Sequence, residues 1–326
     1  MKYKHGILFI LFVFFPSFFI SALEFNDGQL RLVLHPNTGR FSLYLRSNDG
    51  SRPQPLFFNQ DPRTSFLSIF VNDRSFKMGD SASFRTSVGA GSNPSLIFQS
   101  SSLLVTQEFH FVRSPGSPQT DGLRIVINME NMGDRQLTAG ARFLLDTHLG
   151  EGSNGFPITT DQRTLNNETL LTRADSDSFW ADRNRTLTLT GSLNTGVLNG
   201  PDSVHIANWK RLNDVVWRVQ YQPGRNFNLP PYSVGDTAVC YYFEPHPLNP
   251  GERRIMEFTL GVNSEVAPGP DPVFTAAADD RARDLARIRD LLSRIDAKIM
   301  SGVVDEYEIS ILEIEVGQLW AKYAGN

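Results

Sequence analysis

Leu30-Arg31-Leu32-Val33-Leu34-His35-Pro36-Asn37-Thr38-Gly39-Arg40-Phe41-Ser42-Leu43-Tyr44-Leu45 holds two apolar alternations joined by a turn. Leu30, Leu32 and Leu34 repeat with period two, and Phe41, Leu43 and Leu45 do so again. That period puts one face of each segment on a core, and Pro36-Asn37-Thr38-Gly39 has the residues a tight reversal needs. Working outward, the same pattern predicts strands over 66–71, 103–112, 123–129, 137–145, 186–190, 215–221, 237–243 and 254–260. With roughly ten or more strands and no helical period from 29 to 262, the expectation is a large antiparallel β-sandwich. Ser-, Gly-, Asn- and Pro-rich connections at 89–94, 114–121, 151–162 and 222–234 are long enough to carry contacts of their own.

The pattern changes at Pro268-Gly269-Pro270-Asp271-Pro272. Three prolines so close together continue neither a ladder nor a helix, so 268–274 reads as a semi-rigid linker after a β domain at 23–267. Beyond it, Leu285, Ile288, Leu292, Ile295 and Ile299 fall at helical spacing, and Ser301-Gly302 ends that helix. Asp305 with Glu308 opens a second helix carrying Ile309, Leu312, Val316, Leu319 and Tyr323. The expectation for 275–326 is therefore a C-terminal antiparallel helical hairpin. Tyr307, Ile311, Ile314 and Trp320 lie outside the main stripe of the second helix and mark an interaction surface.

At the other end, Lys2 and Lys4 precede an apolar run from Ile7, and Ser21-Ala22 supplies small residues. Those are the three parts of a signal peptide over 1–22, which implies a periplasmic or secreted chain with no membrane attachment once the signal is removed. A net charge of −4 and a pI near 5.9 argue against nucleic acid, which demands a basic surface. Cys240 is the only cysteine, so no intrachain disulfide forms, and its apolar strand context predicts a buried thiol.

Chemistry-bearing residues are sparse. His5, His35, His110, His148, His205 and His246 form no H-x-H or HExxH pair, so neither a metal site nor a cofactor is expected. Asp146-Thr147-His148 places an acid and a histidine on one face of a strand end, where the carboxylate could orient the imidazole. Asp146 would also make a glycosidase-type carboxylate pair with Glu151 if the loop between them folds back. Asp175-Ser176-Asp177 has the alternating acids of a calcium loop without the glycine and terminal glutamate of an EF-hand. Trp180, Trp209 and Trp217 head an aromatic stretch whose rings could stack on a sugar or could fill a core.

Four segments in series carry a resemblance: Gly140-Ala141-Arg142-Phe143-Leu144-Leu145-Asp146-Thr147-His148-Leu149-Gly150, Ala207-Asn208-Trp209, Gly235-Asp236-Thr237-Ala238-Val239 and Asn249-Pro250-Gly251-Glu252. The series resembles a group of exported bacterial periplasmic β-sandwich proteins, spirochaete envelope proteins among them. In that group such segments mark strand ends and turns, so the resemblance implies no catalytic residue. Two functional readings follow. The first is a non-enzymatic cell-envelope protein, structural or interacting with another envelope protein or a second copy, as an accessory of an envelope or flagellar assembly. The alternative is a sandwich that binds or processes carbohydrate, with a glycan as partner.

Overall fold

The computed structural model describes residues 22–47, 50–58, 60–89, 93–151, 155–193 and 199–262. The expected linker and helical hairpin, with Tyr307, Ile311, Ile314 and Trp320, lie outside the described residues, as does the expected signal segment up to Ser21. Among the described residues the chain is mainly β, in three antiparallel sheets. No helix among them is long and apolar enough to cross a membrane.

The opening alternation forms a small sheet of β1 (Leu23–Asp27), β2 (Leu30–His35), β3 (Arg40–Leu45) and β4 (Gln54–Pro55), in that order. There follow β5 (Phe66–Val71), β6 (Arg74–Lys77), β7 (Arg85–Val88), β8 (Ser95–Gln99), β9 (Leu103–Val112), β10 (Gly122–Asn131) and β11 (Leu137–Asp146). Shorter strands come next: β12 (Thr159–Thr160), β13 (Thr169–Thr172), β14 (Phe179–Arg183), β15 (Thr188–Ser192) and β16 (Ser203–Asn208). A one-turn helix α1 (Trp209–Asn213) precedes the long pair β17 (Thr237–Leu248) and β18 (Arg253–Gly261). An eight-stranded sheet runs β12-β14-β15-β18-β10-β9-β8-β7, and a six-stranded sheet runs β13-β16-β17-β11-β5-β6.

The two large sheets face each other across one core. Tyr241 of β17 stacks on Phe258 of β18 at 4.3 Å between ring centroids, and Phe143 of β11 reaches the same ring at 5.1 Å. Alternation does the sorting. On β10, Leu123, Ile125, Ile127 and Met129 are buried while Arg124, Val126 and Asn128 between them are only partly so. The small sheet joins the core through Phe41, whose ring lies 4.8 Å from Phe109 of β9 and 5.9 Å from Phe143.

The six-stranded sheet is buried on its other face too. Phe66, Leu144, Ala207, Ala238, Cys240 and Tyr242 form a second apolar cluster there, roofed by Leu212, Val219, Trp209, Val215 and Trp217. This roof corrects the strand expected over 215–221, which is irregular chain. The period-two pattern was real, since Val215, Trp217 and Val219 point inward while Val216 is exposed. No neighbouring strand supplies a ladder, however; the Val215 and Leu212 carbonyls accept from the buried Arg142 guanidinium instead. Cys240 is buried with its sulfur 3.0 Å from Arg142 Nε.

Candidate functional site

β11 and β17 pair antiparallel, with Asp146 opposite Ala238 at one end of the ladder. The chain leaving β11 and the chain entering β17 therefore meet at that end. Thr147 is tied across the gap, its hydroxyl 2.9 Å from the Thr237 carbonyl. The next residues fold back because Leu149 is buried in the main core and its N–H donates to Asp182 Oδ2 at 2.9 Å. Gly150 is required for this close approach: a Cβ there would sit 2.5 Å from Asp182 Oδ1. The turn closes with the Glu151 N–H on the His148 carbonyl at 3.2 Å.

The fold-back brings Asp146 and Glu151 together, and the start of β17 adds Asp236. One carboxylate oxygen from each of the three lies within 4.8 Å of the others. Asp236 is held by its backbone carbonyl, which accepts from the Trp209 N–H at 3.2 Å and from Asn208 Nδ2 at 3.1 Å. Asn208 caps α1 through its side-chain oxygen and ties down the 222–236 loop through its nitrogen, which also reaches the Phe227 carbonyl and Ser233 Oγ.

Burial and like charge act together on these groups. Removal from water pushes Asp146 up to about 7, opposed by a hydrogen bond with Thr64 and assisted by Asp236. Burial, then the charges of Asp236 and Asp146, push Glu151 up to about 8. Burial also raises Asp236. Behind them, Asp182 is raised to about 6 by burial, against backbone N–H donors that favour its charged form. At neutral pH the cluster is thus a mixture of carboxyl and carboxylate, the condition for giving and taking a proton. A single hydroxyl about 2.7 Å from each oxygen spans up to about 5.4 Å, so one bound hydroxyl can touch two of these groups at once. The same three oxygens could converge on a hard divalent cation, for which oxygen donors are the fitting set.

The sequence-predicted residues separate in space. Asp146 and His148 do not form a hydrogen-bonded pair through the imidazole Nδ1, which is buried without a partner. His148 lies edge-on to Phe58 at 6.4 Å, and burial lowers its pKa. Trp209 connects to the carboxylates through Thr64: its Nε1 donates at 3.1 Å to the carbonyl of Thr64, the residue that hydrogen-bonds Asp146. Trp180 is fully buried between the large sheets, donating to the Tyr241 hydroxyl at 2.7 Å, and presents no face to a ligand. Trp217 belongs to the roof of the outer cluster, against Phe70 and Tyr242. The three rings are not one platform.

Asp175 and Asp177 serve as turn and ion-pair acceptors: both face Arg163, at 3.5 and 3.2 Å, and Asp175 also takes the Thr172 N–H. A guanidinium already lies where a calcium loop would hold its ion. Asp236 escaped the sequence reading as a site residue. Its signal, Gly235-Asp236-Thr237 before an apolar strand, is also what an ordinary strand start looks like.

No protein-family model and no curated protein matches the chain. Among solved structures it is similar to a galactose mutarotase related enzyme from Lactobacillus acidophilus, at 7% identity and a TM-score of 0.45, over 77% of this chain and 99% of that one. An aldose epimerase homologue from C. elegans is similar at 10% identity and a TM-score of 0.45, over 74% and 98% of the two chains. A polysaccharide lyase matches at 9% identity and a TM-score of 0.42, over 75% of this chain and 34% of that one. The resemblance is thus to galactose mutarotase-like and aldose epimerase β proteins in structure, without a sequence family.

Proposed function

We propose that the chain is an exported β-sandwich protein of the cell envelope that binds and processes carbohydrate, with Asp146 and Glu151 as the proton-handling pair. The observation that carries this reading is the convergence of Asp146, Glu151 and Asp236, with two of them raised to about 7 and 8. Reactions at the anomeric centre of a sugar need one group to protonate an oxygen while another removes a proton, and two carboxyls held in different protonation states do both. Glu151, with the higher pKa, is the acid, and Asp146 is the base. Trp209, beside Thr64, supplies an apolar wall for a sugar ring.

The test is a panel of reducing sugars and glycosides with the full chain. Anomer interconversion is followed by NMR and glycoside cleavage by reducing-end assay, with calcium or a chelator as parallel arms. Wild type should show turnover on at least one substrate, lowered about a hundredfold or more in Asp146→Asn and in Glu151→Gln with the fold intact. No glycan binding and no turnover, with wild type and variants alike, sinks the reading. Activity present with calcium and absent with chelator would recast the carboxylates as cation ligands. An interaction role carried by 275–326 is a separate proposal, under which both substitutions would be silent.

A further inference from the structure

At the opposite end of the β17 ladder lies a cleft of about 560 Å³, lined by Arg173, Asp202, His246, Arg253, Arg254 and Ile255 among others. Phe243 and Met256, both buried, contribute to its wall. From Asp236 to Phe243 and His246, at about 3.3 Å per residue, is roughly 20–30 Å, so this is a different site from the carboxylate cluster. Its volume falls in the range of about 300–1,000 Å³ typical of small-molecule pockets.

The charge of the lining is the notable feature. The lining carries three guanidinium groups and one carboxylate, Asp202, with Glu130 paired to Arg253 beside it, on a chain whose net charge is −4. Arg254 is fixed from behind: its Nη1 donates to the carbonyls of Ala139 and Glu244 at 2.8 and 2.6 Å. Asp202 is fixed as well, taking the Glu244 N–H at 2.7 Å and Arg173 at 3.0 Å, with Arg254 Nη2 3.9 Å away. Arg253 donates through its Nε to Glu130 at 2.9 Å. The side chains of Arg173 and Arg253 are 63% and 64% exposed, and among the described residues each is paired through a single nitrogen, which leaves further N–H donors for an incoming group. Ile255, 46% exposed, adds an apolar surface to the lining. Guanidinium forks match oxyanions bidentately, and a local excess of them draws anions to an otherwise acidic protein.

We propose that this cleft binds a small molecule carrying an oxyanion, a carboxylate or a phosphate, on an otherwise uncharged body. Arg173 and Arg253 grip the anion, Arg254 and Asp202 hold the frame, and Ile255 meets the body of the ligand. The site does not depend on the carboxylate cluster or on its proposed activity.

Calorimetric titration of the full chain at low salt tests it, with D-glucuronate, D-glucose 6-phosphate, inorganic phosphate and neutral D-glucose as probes. An anionic probe should bind saturably through this cleft and D-glucose should not. The double variant Arg173→Gln/Arg253→Gln should weaken binding at least about tenfold, with an unchanged melting curve, and added salt should weaken it further. Binding of glucuronate alone identifies a carboxylate ligand, whereas binding of glucose 6-phosphate together with inorganic phosphate identifies a phosphate. Arg173→Gln/Arg253→Gln should leave any saccharide turnover at the carboxylate cluster unchanged, which separates this site from the other. Saturable binding by none of the three anions, or equal binding by wild type and the double variant, overturns the proposal.

Discussion

Glu168 leads into β13 of the six-stranded sheet and Glu151 lies just past β11 of the same sheet, and both are withdrawn from water, but their neighbours have opposite character. Glu168, with a side chain only 1% exposed, lies 3.0 Å from His205 Nε2 and 3.0 Å from Arg211 Nη2, and accepts the Gln222 N–H at 3.0 Å. Glu151 faces Asp146 and Asp236. In the first place a buried carboxylate is given a cation and donors on every side, so it ties the 209–225 excursion to β16. In the second, carboxyls are set against each other, which costs stability and creates groups able to exchange protons near neutral pH. Burial alone does not distinguish a structural acid from a chemical one; the sign of the neighbours does.

Three substitutions sharpen that contrast, beginning with the largest effect. Glu168→Ala leaves Arg211 and His205 without their shared acceptor in a closed site, and should destabilise the chain by about 3–5 kcal/mol. The readout is the denaturant midpoint; a loss below about 1 kcal/mol would mean the network is solvated and the contrast is false.

Asn208→Ala removes the cap of α1 and the side-chain ties to Phe227, Ser233 and Asp236. A loss of about 1–2 kcal/mol is expected from the cap. Saccharide turnover should fall as well, because Asp236 loses its tether. Unchanged turnover in a chain destabilised to this extent would remove Asp236 from the site.

Glu151→Gln should change stability least in acid and reverse its effect as pH rises. The folded-state pKa of Glu151, about 8, lies above its ordinary value of 4.5. The folded state therefore binds the proton more tightly, and that contribution is full below the ordinary carboxylate range and lost as pH climbs through about 8. Asp146 behaves in the same direction, with its loss complete near 7. Melting temperature of the wild type should decline from mildly acid to mildly alkaline pH, and Glu151→Gln should flatten the decline. Parallel pH profiles for the two proteins would show that Glu151 stays ionised and that the cluster is not a proton store.

Much of the sheet structure was legible in the residues. The strands expected over 66–71 and 103–112 occur with those bounds as β5 and β9, since period-two burial is a local property of the chain. The segment 215–221 shows where that logic stops, because alternation reports a buried face whether or not a strand lies alongside to complete a ladder. The short helix at Trp209 gave no periodic signal, being one turn set by the Asn208 cap.

The candidate site divides the same way. Asp146 and Glu151 were paired in the sequence only on the condition that the loop between them folds back, and the structure places one oxygen of each within 4.8 Å of the other. Asp236 could not be joined to them from the sequence, since its place is fixed by the register of β11 on β17, which pairs Asp146 with Ala238. That Trp180 lies in the core while Trp209 and Trp217 lie in the outer roof was equally invisible. Their spacing along the chain says nothing about which sheet each strand joins. The amino-acid pattern by itself determined that this chain makes antiparallel sheets, where their inward faces lie and where the chain reverses, because those follow from neighbours a few residues apart. Only the tertiary structure decided which carboxylates share a site, which find a cation and which arginines gather at the far end, because electrostatic environment depends on contacts between residues distant in the chain.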